Sequence, residues 1–324
     1  MASSQGISWS IKEGSALDTL PVYVKELMAG GVAGGFSKSA VAPLERIKIL
    51  VQTQTEGYYS MGVRQSLKRL LKHEGLAGFY KGNGASVIRI IPYSSLYFMT
   101  YERYKCWMLD NYAIFRSGPL VDLLAGSAAG GTAILCTYPL DLARTILAHG
   151  VVDAKASLES GSRNFIAQPR NSGIKSVLGG VYRESGVRGL YRGIGPTLMA
   201  ILPYAGMRFC IYEELKRHVS EEHQRSIVMS LSCGALSGLL GQSVTYPLDV
   251  VKRQMQVDSG RYKNTWKAFT TIVSEQGWRQ LFAGLGINYI KIVPSMAIGF
   301  ATYDMMKLWL RIPPRQKTKS ASTV

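Results

Sequence analysis

One short motif occurs three times in this chain, and its spacing constrains the fold more than any other feature. Each copy reads Pro-Leu-acid-x-x-base, and the copies begin at Pro43, Pro139 and Pro247. A second motif, Tyr-acid-x-x-Lys, follows each copy and begins at Tyr101, Tyr212 and Tyr303. Self-similarity in a fixed order and at similar spacing predicts three copies of one structural unit.

The segment between the two motifs has the same character in every repeat. It contains an aromatic, glycine-rich stretch, which reads GLAGFYKGNG, GVRGLYRGIG and GWRQLFAGLG in turn. Each repeat is therefore predicted to form a long helix with an internal proline, a short amphipathic helix, a glycine turn and a second long helix. The six long helices are expected at about residues 22–55, 83–110, 117–150, 194–218, 226–257 and 284–311. At about 1.5 Å per residue they are long enough to cross a bilayer with tilt.

The repeats divide nearly the whole chain. They are expected at residues 22–115, 116–224 and 225–311, with terminal tails at 1–21 and 312–324. Repeat two is longer than the others, and its polar stretch at 151–171 is predicted to be a loop.

The composition narrows the classes of partner and of function that the protein can have. The formal net charge of +17 favours an anionic partner, which could be nucleic acid, phospholipid or a small acidic molecule. A soluble nucleic-acid binder would place its cations on exposed stripes, whereas here many lie in glycine-rich apolar helices. The chain has no HExxH, GxSxG or P-loop sequence and no CxxC pair, so neither an enzyme nor a metal site is expected. Three of the four cysteines lie in apolar segments and are expected to be buried.

Small residues recur four apart in the first helix of each repeat. The pairs are Gly30 with Gly34, Gly126 with Gly130, and Gly234 with Gly238. In lipid this spacing allows two helix backbones to approach closely. We therefore expect these glycines to lie at contacts between helix backbones.

The motifs place charges inside otherwise apolar helices, where an unpaired charge is costly. The proline-motif ring is expected to contain Glu45, Lys48, Asp141, Arg144, Asp249 and Lys252. Acid and base are three residues apart on one helix face, so the alternative is a local pair within each helix. A proline two residues before each acid would kink each helix and draw the three helix ends together, which favours pairs between helices.

The tyrosine motifs predict a second ring in the other three long helices. The tyrosine-motif ring is expected to contain Glu102, Lys105, Glu213, Lys216, Asp304 and Lys307. Two rings at opposite ends of one bundle suit alternating access, in which one ring forms as the other breaks.

The acids of the tyrosine-motif ring also locate a binding site. Thirteen residues before them, about 20 Å of helix, stand Arg89, Ala200 and Lys291. Tyr204 and Arg208 follow Ala200 on the same helix face, and an aromatic ring beside a small residue can hold a flat heterocycle. Arginine suits a phosphate group. The first helix adds one more cation at membrane depth, Lys38.

These motifs resemble those of the mitochondrial carrier family over about residues 22–311. The resemblance implies an all-α membrane protein, a monomer whose six transmembrane helices form a pseudo-threefold barrel with three short matrix helices. It implies a location in the mitochondrial inner membrane, with the proline-motif ring as matrix gate and the tyrosine-motif ring as cytoplasmic gate. In this family glutamines brace the matrix gate. Gln52 and Gln256 match those positions, whereas repeat two has Ala148.

The resemblance also indicates the cargo. The family's substrate contact points fall on Arg89, on Ala200 with Ile201, and on Lys291, and a small residue followed by an aliphatic one resembles carriers of adenine nucleotides. The stretches AVAPLERIKIL, YKGNGASVIRIIPY and TYPLDLARTILA look most like plant-type coenzyme A carriers. Coenzyme A, with related nucleotides such as dephospho-CoA, is thus the first expectation. Another adenine nucleotide, of the ADP/ATP or ATP-Mg/phosphate type, is the alternative.

Partners follow from the same resemblance. No cofactor and no nucleic acid are expected, and cardiolipin is expected at the glycine turns that join the short helices to the second long helices. An acid-Gly and a base-Gly pair form these turns in repeat one, at Glu74 and Lys81. Repeat three has Gln276 and Ala283 in their places.

Overall fold

The computed structural model describes residues 21–55, 58, 62–111, 118–150, 173–219, 227–258, 260–262 and 264–311. The predicted loop at 151–171, the C-terminal tail and the N-terminal tail up to residue 20 lie outside the described residues.

The described part of the chain folds into nine α-helices. They are α1 (Val22–Gln52), α2 (Val63–Gly78), α3 (Asn83–Asn111), α4 (Pro119–His149), α5 (Ile174–Leu190), α6 (Ile194–His218), α7 (Ile227–Val257), α8 (Thr265–Gln276) and α9 (Leu285–Trp309). A 3₁₀ helix, Trp278–Phe282, follows α8. The all-α prediction is confirmed, and the six long helices end within three residues of the predicted bounds.

The six long helices form a closed circle. Helix α3 packs along α4, α6 along α7 and α9 along α1, while lighter contacts join the two long helices of each repeat. Because α9 returns to α1, the first and third repeats are neighbours in space although they are distant in sequence. The first long helices of the three repeats, α1, α4 and α7, also contact one another.

Each long helix contains an internal proline. Pro43, Pro139 and Pro247 lie in α1, α4 and α7, as the motif predicted. A second set, Pro92, Pro203 and Pro294, lies in α3, α6 and α9 and was not used in the sequence interpretation. An internal proline removes one backbone hydrogen bond and bends the helix, so all six long helices carry a site where the helix can bend.

The short helices build apolar cores at one end of the bundle. Helix α5 contributes Val177 and Val181 to a core with Leu142 and Ile146 of α4. Equivalent cores join α8 to α7 and α2 to α1. Burying one such aliphatic side chain contributes about 1.5–3 kcal/mol. These cores hold the C-terminal halves of α1, α4 and α7, which carry the proline-motif charges.

Glycines with positive φ form the turns around each short helix. They are Gly75, Gly82, Gly186, Gly193, Gly277 and Gly284. At Gly82, φ is +81° and a Cβ would lie 2.6 Å from the carbonyl oxygen of Arg144. The turn between α2 and α3 therefore packs directly on α4 of the next repeat, which only glycine permits.

The glycine pairs do not act as expected. A Cβ on Gly126 would lie 3.3 Å from the Tyr97 hydroxyl, and one on Gly34 would lie 3.3 Å from the Ile90 side chain. Gly30 and Gly234 have nothing within 4 Å. The prediction of backbone contacts was wrong at these positions, because side chains of Ile90 and Tyr97 lie against Gly34 and Gly126, and open space lies beside Gly30 and Gly234.

The outer surface is apolar. Three described segments are long and apolar enough to span a membrane, namely Leu120–His149, Ile194–His218 and Trp278–Trp309. Cys106, Cys136 and Cys210 are exposed, and Cys233 is buried. Burial of the cysteines in apolar segments is confirmed for Cys233 and was wrong for Cys136 and Cys210, because an apolar segment facing lipid need not be covered by protein.

We expect Gly82→Ala to destabilise the protein. The added Cβ would clash with the carbonyl of Arg144, and alanine is unfavourable at positive φ, at a cost of about 1–3 kcal/mol. Thermal unfolding of the detergent-solubilised protein should show a lower midpoint. Gly84→Ala is the matched control, since a Cβ there meets nothing within 4 Å. Equal midpoints for the two variants would contradict this account of the turn.

Candidate functional site

The six charges of the proline-motif ring meet where α1, α4 and α7 converge. Each base pairs with the acid of another repeat. The pairs are Arg144 with Glu45, Lys252 with Asp141 at 2.8 Å, and Lys48 with Asp249 at 2.9 Å. We call these the first, second and third junctions, which join repeats one and two, two and three, and three and one. The alternative of a local pair within each helix does not describe this structure.

The ring is largely shielded from water. The side chains of Glu45 and Asp141 are 10% and 4% exposed. Removing one partner of such a buried pair typically costs about 3–5 kcal/mol, because the other charge is left without compensation. The three pairs therefore hold this end of the bundle closed.

A glutamine and a tyrosine brace the third junction. Gln52 donates from Nε2 to the Tyr246 hydroxyl at 3.1 Å and to Asp249 Oδ2 at 3.0 Å. The Tyr246 hydroxyl in turn donates to the carbonyl of Ala283 at 2.9 Å. The brace thus joins α1, α7 and the turn before α9.

The second junction has the same brace. Gln256 donates to the Tyr138 hydroxyl at 3.1 Å and to Asp141 Oδ2 at 3.3 Å, while Tyr138 donates to the carbonyl of Arg192 at 2.6 Å. Arg253 adds a cation 3.7 Å from Asp141 and donates to Gln256 Oε1 at 3.0 Å.

The first junction has no such pair. Ala148 and Ala42 stand where the other junctions have glutamine and tyrosine, and both are buried. Arg46 instead donates to the carbonyl of Ala148 at 3.1 Å and to that of Gly150 at 3.2 Å. Contacts of Arg46 to the end of α4 therefore support the first junction, which lacks the glutamine–tyrosine brace of the other two.

Arg46 itself is anchored by Glu74 of α2. Its two terminal nitrogens lie 2.7 and 2.9 Å from the carboxylate, and Lys81 lies 2.7 Å from the same group. Burial works to raise the pKa of Glu74, but hydrogen bonds from Arg46 and Lys81 hold that pKa below its usual range. The acid of the repeat-one turn therefore stays ionised as a support for Arg46.

Uncharged side chains bind the carbonyls at the end of α1, as Arg46 binds those at the end of α4. Gln254 donates to the carbonyl of Gln52 at 3.1 Å, and Gln280 donates to the same carbonyl at 3.3 Å. Gln254 is anchored by Gln276, at 2.8 Å, the residue that replaces the acid of the turn in repeat three. Helix C-terminal carbonyls lack partners in their own helix, so these side chains fix the end of α1 to repeat three.

A cavity of about 360 Å³ lies on the inner side of the ring. Asp141, Arg144 and Lys252 of the ring contribute to its lining, and so do Lys38 and Arg89. The Arg89 guanidinium lies 5.3 Å from the Tyr93 ring centroid, a cation–π distance, and 3.9 Å from Asp141. The cavity thus joins two of the predicted binding cations to the ring.

Glu45 brings further binding cations to the ring. Lys291 donates from Nζ to Glu45 Oε1 at 3.2 Å, and Lys38 Nζ lies 3.5 Å from the same oxygen. The predicted binding residues Lys38, Arg89 and Lys291 therefore all lie beside acids of the proline-motif ring.

The other predicted binding residues lie elsewhere in the bundle. Among the described residues that line the cavity, Ala200, Ile201, Tyr204 and Arg208 are absent. Ile201 approaches Gly131 of α4, while Tyr204 and the backbone of Arg208 approach Gly238 and Gly241 of α7. The binding roles of these four residues stay predictions.

The tyrosine-motif ring is open. Its acids, Glu102, Glu213 and Asp304, are exposed. Lys105 lies 2.6 Å from Asp122 in the first turn of α4, and the Tyr101 hydroxyl donates to the same carboxylate at 2.7 Å. Lys216 and Lys307 lie over the rings of Tyr212 and Tyr303. One ring is therefore closed while the acids of the other face solvent.

The sequence interpretation missed several residues of the site. Tyr138 and Tyr246 had a signal, since tyrosine precedes the motif proline in repeats two and three and Ala42 does so in repeat one. Asn288, which accepts a hydrogen bond from Lys48 at 3.2 Å, had none. Asp122 also had no signal in the sequence, because its partner Lys105 was assigned to the tyrosine-motif ring alone.

Comparisons with known proteins agree with the three-repeat architecture. The family model described as "Mitochondrial carrier protein" matches residues 21–112, 115–223 and 223–313. The chain is 62% identical to "Mitochondrial carrier protein CoAc1" of Arabidopsis thaliana, over 99% of this chain and 100% of the relative. It is 58% identical to the Zea mays protein of that name, over 95% and 93% of the two chains. It is 37% identical to "Mitochondrial adenine nucleotide transporter ADNT1" of Arabidopsis thaliana, over 87% and 86%.

We expect Gln52→Ala to weaken the third junction. The change removes one donor from Asp249 and one from the Tyr246 hydroxyl, and leaving such buried groups under-satisfied costs about 1–3 kcal/mol. The thermal unfolding midpoint in detergent should fall. Thr270→Ala, which removes an exposed hydrogen bond within α8, serves as the control. A midpoint that moves no more than that of the control would show that the brace does not support the ring.

Proposed function

Since this chain belongs to the mitochondrial carrier family, we propose that it carries coenzyme A across the membrane by alternating access. Members of the family are transporters, and this chain is a multi-pass transporter of the mitochondrial inner membrane. The proposal assigns the proline-motif ring as the matrix gate and the tyrosine-motif ring as the cytoplasmic gate. One observation carries it: a basic cavity lies directly on a closed ring, while the acids of the other ring are exposed.

The cavity suits an anionic nucleotide. Lys38 and Arg89 line it together with the ring bases Arg144 and Lys252, so phosphate oxygens have several charge-assisted donors within reach. The Tyr93 ring beside Arg89 offers an apolar face for a flat heterocycle such as adenine. In this proposal the pantetheine arm of coenzyme A extends toward the tyrosine-motif end, whose acids are exposed.

Sequence similarity bears on the choice of cargo. The relatives named CoAc1 share more of their sequence with this chain than the relative named as an adenine nucleotide transporter does. This order favours coenzyme A, with dephospho-CoA or adenosine 3′,5′-diphosphate as related cargo. The alternative is a carrier of another adenine nucleotide, of the ADP/ATP or ATP-Mg/phosphate type, and the ADNT1 relative supports it.

The two rings give the transport cycle its two states. In the cytoplasm-open state the matrix gate is closed by its three pairs, and the cargo reaches Lys38, Arg89 and Lys291 from the cytoplasmic side. When the matrix gate opens, Lys105 leaves Asp122 and pairs with an acid of another repeat in the cytoplasmic gate. Trading one set of pairs for another keeps the two states close in free energy, so that the cargo can shift the balance.

Other partners belong to the same proposal. The carrier works as a monomer without a cofactor. Cardiolipin phosphates bind at the glycine turns where short and long helices begin, because helix N-termini present free N–H groups. The anionic cargo accounts for the excess of cations around the cavity, and the acidic lipid accounts for part of the net charge of +17.

We expect purified protein in liposomes to exchange labelled coenzyme A. Arg89→Ala and Lys291→Ala should each reduce uptake by about 10- to 100-fold, because each removes a charged donor worth about 1.5–3 kcal/mol. Lys68→Ala is the matched control, since it removes one positive charge from the exposed side of α2. It should transport like the unchanged protein.

A competition panel identifies the cargo. Unlabelled coenzyme A should compete best with labelled coenzyme A, followed by dephospho-CoA. Uptake of ADP or ATP without uptake of coenzyme A would overturn the preferred cargo and leave the alternative. Equal losses of uptake in Lys68→Ala and Arg89→Ala would overturn the placement of the binding site.

A further inference from the structure

At the tyrosine-motif end of the bundle, Lys105 is bound by an acid that belongs to neither ring. Its Nζ lies 2.6 Å from Oδ1 of Asp122, and the Tyr101 hydroxyl donates to the same oxygen at 2.7 Å. Lys105 also lies over the Tyr101 ring, 5.7 Å from its centroid. Because α3 belongs to repeat one and α4 to repeat two, this cluster joins two repeats while the tyrosine-motif ring is open.

A glycine on α4 gives the cluster its seat. Gly126 follows Asp122 by one helical turn on the same face of α4. A Cβ on Gly126 would lie 4.0 Å from Cε2 of Tyr101 and 3.3 Å from the Tyr97 hydroxyl. The Tyr97 and Tyr101 rings are stacked, with their centroids 6.2 Å apart and their planes at 9°. This aromatic face of α3 is thus packed on α4, and it brings Lys105 within reach of Asp122.

Helix formation alone does not account for Asp122. The residue lies in the first turn of α4, where the helix dipole favours an acid even without a partner. Asp122 stands 17 residues before the motif proline of repeat two (139−122), and Ser230 stands 17 residues before that of repeat three (247−230). Helix α7 has no acid in its first turn. The first long helix of a repeat can therefore begin without an acid at this position.

We infer that Asp122 competes with the acids of the tyrosine-motif ring for Lys105 and thereby favours the state in which this ring is open. The inference rests on the proposed function in one respect, namely that the ring closes in the other state of an alternating-access cycle. In the proline-motif ring each base binds the acid of another repeat. By the same pattern Lys105 binds Glu213 or Asp304 on closure, and to do so it leaves Asp122.

The exposure of the pair limits how strongly it can act. The side chains of Lys105 and Asp122 are 39% and 52% exposed. Ion pairs that water reaches contribute little to stability, so Asp122 shifts the balance between two states without locking either one. This suits a transporter, in which each state must remain accessible from the other. Asp122 is thus a positioning residue that acts through Lys105.

Distances between spin labels test the inference and need no transported substrate. Leu109 near the end of α3 and Leu308 near the end of α9 are exposed, so each can be replaced by a labelled cysteine after the four native cysteines are changed to serine. The labels lie far apart when the tyrosine-motif ring is open and closer together when it closes. In Asp122→Asn the ratio of short to long distances should rise by about threefold, because Lys105 has lost its partner in the open state.

The matched control is Glu214→Gln, which removes the same charge from an exposed acid near the same end of the bundle. Glu214 pairs with Arg217 of its own helix at 3.4 Å, so the ratio of distances should stay within about 1.5-fold of the unchanged protein. A similar rise in Glu214→Gln and Asp122→Asn would mean that only the overall charge matters, and the inference would be wrong. Asp122→Ser, which introduces the residue of repeat three, serves if Asp122→Asn does not fold, and an unchanged ratio would overturn the inference.

A double-mutant cycle separates the effect on Lys105 from an effect on the start of α4. Lys105→Gln removes the base for which the acids compete, so adding Asp122→Asn to it should change the ratio of distances by less than about 1.5-fold. An effect through the helix dipole or the stability of α4 would persist without Lys105. A threefold rise on adding Asp122→Asn to Lys105→Gln would therefore overturn the inference.

The label distances also separate this inference from the proposed function. A failure to exchange coenzyme A in liposomes would change the cargo, whereas the distances report the state of the ring whatever the cargo is. If the short distance occurs but is equally frequent in the unchanged protein and in Asp122→Asn, the inference is wrong and the two-state cycle stands. If the short distance occurs in none of the variants, the ring does not close, and both the cycle and the inference are wrong.

Discussion

Ion pairs between repeats are the constraint on which the rest of this structure depends. An acid and a base placed three residues apart on an apolar helix could pair with each other, yet the structure pairs each base with the acid of another repeat. Buried charges need partners, and with three copies of one motif the partners can be supplied cyclically. The closed circle of long helices and the contact of α9 with α1 follow from that arrangement, and the short helices hold the charged ends of α1, α4 and α7 in place.

Threefold similarity in sequence does not make the three junctions equal. The second and third are braced by glutamine and tyrosine, while the first combines Ala42, Ala148 and the Arg46 contacts to the end of α4. The side chains that anchor the helix ends beside the ring also differ between repeats. Repeat one uses the ionised Glu74, whereas repeat three uses neutral glutamines. A ring whose junctions are braced differently can open in a defined order, which a perfectly symmetric ring could not do.

The predicted binding cations and the proline-motif ring are in direct contact. Lys38, Arg89 and Lys291 each lie beside an acid of the proline-motif ring rather than apart from it. An anion bound by these cations would therefore act on the proline-motif ring through the same charges, without any longer path through the protein. Asp122 gives the opposite end a comparable arrangement, because it binds Lys105 and Tyr101 while that ring is open.

The sequence by itself determined the number of repeats, the six long helices and the residues of the proline-motif ring, because the motifs recur in fixed order and charges inside an apolar helix need partners. It also indicated, through Gln52, Gln256 and Ala148, that the ring would be unevenly braced. Only the tertiary structure decided which base meets which acid, that Lys38 and Lys291 share one oxygen of Glu45, and that Tyr97 rather than a helix backbone fills the space beside Gly126. Those contacts join residues from different repeats, and neither helical periodicity nor local spacing specifies how side chains from separate helices meet.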